Sequence, residues 1–217
     1  MAQQILGADG STIVRVDPTF GALRVSPRPL EASAWLQFSA KSGALTGVAA
    51  NGPVFSLRNS GTNLMLIRKV QIGFITTTGY TAAQYQDFGV YVARSWTGAD
   101  SGGTTITLTG NNCKLRTSLS ALSSAAAFIS TTGVITAGTR TVDTNALGVY
   151  GTWNAAATAG TGFGLTTIFD QGPGDYPLVC AQNEGIVLQT ITAMGAGGVG
   201  FLTVMVEVAE TTTANFA

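Results

Sequence analysis

From residue 53 to residue 210 the apolar side chains recur at every second position over short runs, and Gly, Asn, Asp and Thr break the runs apart. Successive side chains of an extended chain point to opposite faces, so this pattern predicts strands joined by turns. The longest run, 64–76, puts Leu64, Leu66, Val70, Ile72 and Phe74 on one face, interrupted at Arg68. Met65, Ile67, Lys69, Gln71 and Ile75 take the other, more mixed face. Residues 87–94 alternate Phe88, Val90 and Val92 against Gly89, Tyr91 and Ala93. Shorter strands are predicted at 53–58, 104–109, 128–129, 134–135 and 139–142. A single turn at 82–86 and a helix-compatible composition over 115–128 are the departures from strand.

The run 178–210 reads as the closing pair of the fold. Residues 178–194 and 199–210 are both rich in strand formers, and Gly195, Gly197 and Gly198 lie between them, which predicts a hairpin. In the second run Leu202, Val204, Val206 and Val208 share a face, and charge arrives only at Glu207 and Glu210. A strand of this kind is expected to be central and covered on both faces. The segment 185–206 is uncharged and long enough to span a bilayer, but its glycines, threonines and strand alternation favour a sheet. Gly195, Gly197 and Gly200 match a dinucleotide-binding spacing. That site also needs a helix to start there and an acidic residue roughly 20 positions on, and neither is indicated. Recurrent strands with Gly, Asn and Thr turns predict an all-β antiparallel sandwich or barrel in one domain, residues 53–210, with a frayed tail at 211–217.

Composition changes the picture in one respect. Charged residues make up 10% of the 217-residue chain, where about 25% is usual for soluble domains. So much uncharged surface is a poor recipe for a free monomer, and the simplest remedy is that neighbouring subunits cover part of it. A homo-oligomer is therefore expected. The formal net charge is zero, which gives no electrostatic basis for nucleic acid or an anionic membrane as partner. The first residues carry neither a basic segment nor an apolar core of a secretory signal, so assembly in a cytoplasm is the expectation. Cys113 and Cys180 have no metal-binding spacing and are expected as buried free thiols, a disulfide being the alternative.

The N-terminal part differs from the body. Residues 1–30 hold two short strand-like runs around Asp17-Pro18-Thr19-Phe20-Gly21 and then Ser26-Pro27-Arg28-Pro29, which forces an extended path. They carry Arg15, Arg24 and Arg28. This segment reads as an arm lying on a neighbouring subunit or a host surface through Arg15, Phe20, Leu23, Arg24, Val25 and Arg28, an edge hairpin of the body being the alternative. Residues 31–52, rich in Ala, Ser and Gly, read as a linker. A second unusual stretch, 144–169, is uncharged and rich in Gly and Ala. It reads as a long loop, either loose or ordered by contact with a neighbouring copy through Tyr150, Trp153 and Phe163.

Catalysis finds little to use. The chain has no histidine, which removes the usual Ser/His and Cys/His nucleophile pairs and the common zinc sites. Asp170, Asp175 and Glu184 form the one local group of acids, and carboxylates in Gly- and Pro-rich turns commonly bond nearby backbone. They are too few for calcium and more simply turn formers than a glycosidase pair. The sequence predicts no enzyme, no cofactor and no metal.

Four segments carry a resemblance. They are the arm residues 16–29, then Gly89-Val-Tyr-Val-Ala-Arg-Ser-Trp96, then Leu108-Thr-Gly-Asn-Asn-Cys-Lys-Leu-Arg116-Thr-Ser, and Pro177-Leu-Val-Cys-Ala-Gln-Asn-Glu-Gly185-Ile-Val. Together they resemble tailed-bacteriophage virion structural proteins. The resemblance implies an antiparallel jelly-roll β-sandwich with an extended N-terminal arm, commonly trimeric, on the capsid surface of the virion. It implies a decoration or cement protein whose partner is the major capsid protein. The same resemblance includes head-fibre and tail-knob proteins. In that alternative, Trp96, Trp153 and Tyr150 in exposed loops would bind host glycans.

Overall fold

The computed structural model describes residues 32–122, 125–160, 162–172 and 177–212. Twelve strands run through them: β1 (Ala34–Lys41), β2 (Pro53–Asn59), β3 (Leu64–Thr78), β4 (Gln84–Arg94), β5 (Thr104–Ile106), β6 (Ala125–Ile129), β7 (Thr141–Val142), β8 (Gly148–Asn154), β9 (Gly162–Asp170), β10 (Leu178–Cys180), β11 (Gly185–Thr190) and β12 (Val199–Thr211). All pairings are antiparallel, and they form two sheets. The first has the order β1-β12-β3, with β10 and then β9 along the far side of β3. The second has the order β5-β6-β2-β11-β4, with β7 and β8 along the far side of β4. The chain is an all-β sandwich, and its core lies between the two sheets.

Alternation explains which side chains fill that core. β12 contributes Leu202, Val204, Val206 and Val208, β1 contributes Leu36 and Phe38, and β4 contributes Phe88 and Val90. The interruption at Arg68 has a structural cause. Opposite Glu207 and Val208 the ladder skips from Lys69 to Ile67, so Arg68 is the extra residue of a β-bulge. The bulge shifts the phase of the strand: Met65 and Ile67 face the core before it, and Val70, Ile72 and Phe74 after it. Arg68 itself turns outward, bonds Glu207 at 3.0 Å and stacks over Trp35 at 4.9 Å.

Several elements differ from expectation. Residues 34–41 are not linker but β1, an edge strand paired with β12 over its whole length. Small side chains at Ala34 and Ala40 hide an alternation whose Leu36 and Phe38 are fully buried. The 178–210 run is not a hairpin. β11 pairs with β2 and β4 in one sheet, β12 with β1 and β3 in the other, so residues 191–198 cross between sheets. β12 is central as expected, yet Phe201, Thr203 and Glu207 on its outer face stay half-buried. Where helix composition was noted, Ala125–Ile129 form strand β6, and Gln84 already belongs to β4. The 144–169 stretch is two strands, β8 and β9, and not one long loop. Thr211 ends β12 fully buried, while the rest of the expected tail from 213 lies outside the described residues. Both cysteines are free. Cys180 is buried, whereas Cys113 is exposed, contrary to expectation.

Candidate functional site

Among the long stretches of the sequence that hold no Asp, Glu, Lys or Arg are 70–86, 144–169 and 185–206. The fold brings them to one end of the sandwich. The end of β3 pairs with the start of β12 through Thr78 and Val199, and with the start of β9 through Ile75 and Gly162. The start of β4 pairs with the end of β8, Gln84 with Asn154 and Tyr85 with Trp153. Backbone bonds join the turns between them: Ala157 donates to Tyr80 at 2.7 Å, Gly160 to Thr76 at 2.6 Å, and Thr81 to Ala196 at 3.1 Å. Across the core, Thr76 Oγ1 donates to Asn154 Oδ1 at 2.5 Å and the Phe74 amide donates to the Tyr150 hydroxyl at 3.3 Å.

Charge gathers elsewhere. Toward the opposite end Arg94 pairs with Asp143 and Glu184 at 3.0 Å each, Arg68 with Glu207 at 3.0 Å and Lys69 with Asp170 at 3.1 Å. On the outer flank of the second sheet, Arg140 pairs with Asp100 in full burial and lies 5.0 Å from the Trp96 ring. Burial pushes the Arg140 guanidinium below its ordinary range, and the Asp100 carboxylate opposes that shift. Asp100 Oδ1 also accepts from the Gly138 amide at 2.6 Å. Asp170 and Glu184, weighed as acids from the sequence, are thus ion-pair members, and Asp175 lies outside the described residues. No group of three or more metal-ligating side chains occurs among the described residues.

Two apolar features stand on the uncharged end. On the outer face of the second sheet, β8 alternates Tyr150, Thr152 and Asn154 inward with Val149, Gly151 and Trp153 outward. Trp153 is 60% exposed and its cross-strand neighbour Tyr85 is 50% exposed. Tyr85 lies over Gly151, whose missing side chain makes room for the phenol ring. On the outer face of the first sheet, Gly73, Gly162 and Gly164 leave an open groove of about 380 Å³ walled by Ile75, Leu165, Phe201 and Thr203. Lys41 Nζ sits 4.3 Å from the Phe201 ring centroid, beside the groove. The two features flank a single edge of the sandwich, where β8 approaches β9 so closely that a carbon on Gly148 would meet Ile168.

The residues singled out from the sequence divide three ways. Trp153 is on the surface. Tyr150 is not a contact residue: it is 3% exposed and stacks near Phe88 at 6.5 Å in the core. Trp96 is also no surface aromatic, being 1% exposed beneath Arg140 and packed with Ala93 and Val187. Phe163 belongs to β9 by its backbone, but its side chain lies outside what is described, as do Arg15, Phe20, Leu23, Arg24, Val25 and Arg28. Sequence reasoning missed Tyr85 and the three groove glycines. The signal was there, since Tyr85 and Gly73 both occupy outward positions of alternating strands.

Antiparallel pairing throughout and two facing sheets define the class as a β-sandwich. In comparison with known proteins, the sequence matches no protein family and no characterised protein.

Proposed function

We propose that this chain is a non-enzymatic structural subunit of a phage virion, a capsid decoration or cement protein. On this reading it binds the major capsid protein as a homo-oligomer and stabilises the head. The observation that carries the reading is the convergence of three charge-free stretches on one end of the sandwich. A surface of that kind favours burial against protein, since covering it strands few ions. The strand order supports a jelly roll. Leaving out the short strands β5, β6, β7 and β10, the order β1-β12-β3-β9 faces β2-β11-β4-β8, and every step between successive strands changes sheet except β4 to β8. Of the four segments behind the virion resemblance, 16–29 lies outside the described residues, and the other three fall on β4, on the connection from β5 to β6, and on β10 and β11.

The test uses emptied, expanded phage heads lacking their decoration. The chain is expected to bind them saturably and to raise the temperature at which they burst. Heads that ignore the chain, or burst as before once it is bound, sink the proposal.

A second reading, a receptor-binding knob, rests on the exposed Tyr85–Trp153 pair, because sugars stack on such aromatics. It loses Trp96 and Tyr150, both buried, and its remaining platform lies among Gly and Ala. Binding of the purified chain to host surface glycans, abolished by Trp153→Ala, would favour it.

A further inference from the structure

We infer that the Tyr85–Trp153 pair of one subunit seats in the glycine groove of the next, closing copies of this chain into a ring by a head-to-tail contact. This deepens the assembly reading above and rests on it for the expectation that copies meet at all. The pair projects; the groove recedes. Tyr85, Trp153 and the residues lining the groove are uncharged, and the ammonium beside it, Lys41, lies over the Phe201 ring, so the contact covers little charge. Aromatic side chains bury about 150–250 Å² each when fully covered, and well-packed aromatics dominate interface energetics. The groove floor offers bare backbone at Gly73 and Gly164, which lets a ring plane approach closely, as it already does where Tyr85 lies over Gly151.

The placement decides the symmetry. The pair lies on the outer face of one sheet and the groove on the outer face of the other, and these faces look in opposite directions. A single partner cannot cover both, so a twofold dimer leaves half the surface open. Each copy must instead engage two neighbours through different surfaces, the heterologous arrangement that closes into a ring when the rotation fits. Because both features flank the narrow edge where β8 meets β9, that edge turns toward the axis and the subunits pack as wedges.

The experiment measures the mass of the full chain by light scattering across a concentration series. The unmodified protein is expected as one discrete species larger than a dimer of the 22.2 kDa chain. Trp153→Ala removes the knob. Gly164→Leu fills the groove, and open space around Gly164 lets its own fold accept the change. Each variant is expected to weaken association by roughly thirtyfold or more, the loss typical of an interface hot spot, and to run as a monomer. Mixed in equal amounts, the two variants are expected to recover a heterodimer, since one retains the knob and the other the groove. Tyr85→Ser and Thr203→Leu repeat the test from adjacent positions should a first variant fold poorly, as judged by circular dichroism. A native chain that stays monomeric, stops at a dimer or grows into filaments overturns the inference. So do folded variants that keep the native mass, or a mixture that stays monomeric. Rings that ignore phage heads leave this contact standing and remove the capsid role, and a monomer that binds heads does the reverse.

Discussion

A carbon atom added to Gly198 would overlap the ring of Tyr80, which is fully buried against it, whereas one added to Gly164 meets nothing within 4 Å. The same substitution therefore has two outcomes. Gly198→Ala is expected to cost about 1–3 kcal/mol through overpacking, and Gly164→Ala to stay within about 0.5 kcal/mol, as read from urea denaturation. At the Asp100–Arg140 pair, Asp100→Ala would leave a buried guanidinium without its counter-charge. A loss of about 3–5 kcal/mol is expected in the same assay, with Arg140→Ala and Asp100→Ala together costing less than the sum. Burial raises the Cys180 thiol from 9.0 to about 12 and the Tyr80 hydroxyl from 10.0 to about 12. In both, the folded value lies above the unfolded one, so stability from these groups is complete below the unfolded value and declines as pH rises toward 12. Denaturation midpoints should stay level up to about pH 9 and fall above it, more gently in Cys180→Ala. In native protein at neutral pH, a thiol reagent should modify Cys113 and spare Cys180. Residue identity alone did not separate Tyr150 from Trp153. Both are aromatics among small residues, and only the parity of the edge strand, visible once β8 is known to be a strand, sends one inward and the other out.

At the scale of elements, alternation was legible wherever side chains were large. β3, β4 and β12 stood out because Val, Ile, Phe and Leu mark their inner faces. β1 was lost among Ala and Ser, and β8 and β9 among Gly and Thr, where a period of two has little amplitude. Pairing was illegible for a different reason. The eight residues between β11 and β12 are long enough to turn within a sheet or to cross between sheets, and local sequence does not choose between them. The bulge at Arg68 was visible as a break in pattern, but its effect, a change of phase, needed the partner strand. Deletion of Arg68 tests it. Straightening the ladder would turn Met65 and Ile67 away from the core or strip Val70, Ile72 and Phe74 from it. Loss of cooperative unfolding in thermal melts is expected, while Arg68→Ala, which keeps the extra residue, should still unfold in one transition.

Across the whole molecule, the ion pairs lie away from the uncharged end, and this was half legible: the charge-free stretches are plain in the sequence, their convergence is not. Contact made through the uncharged end should not respond to screening. Particle mass is expected to hold between roughly 0.05 M and 1 M salt, measured by light scattering, since the Debye length falls from beyond 10 Å to about 3 Å without an ion pair to weaken. A further consequence belongs to β12. It lies between β1 and β3, and Leu36 faces Val208 from the far end of the chain. A ribosome that has made everything up to residue 190 has therefore delivered one half of the sandwich with a slot down its middle. Vectorial synthesis cannot fill that slot early. The polypeptide must wait, with Phe38 and Ile72 uncovered, until β12 emerges to pair with β3 and draw β1 into the sheet.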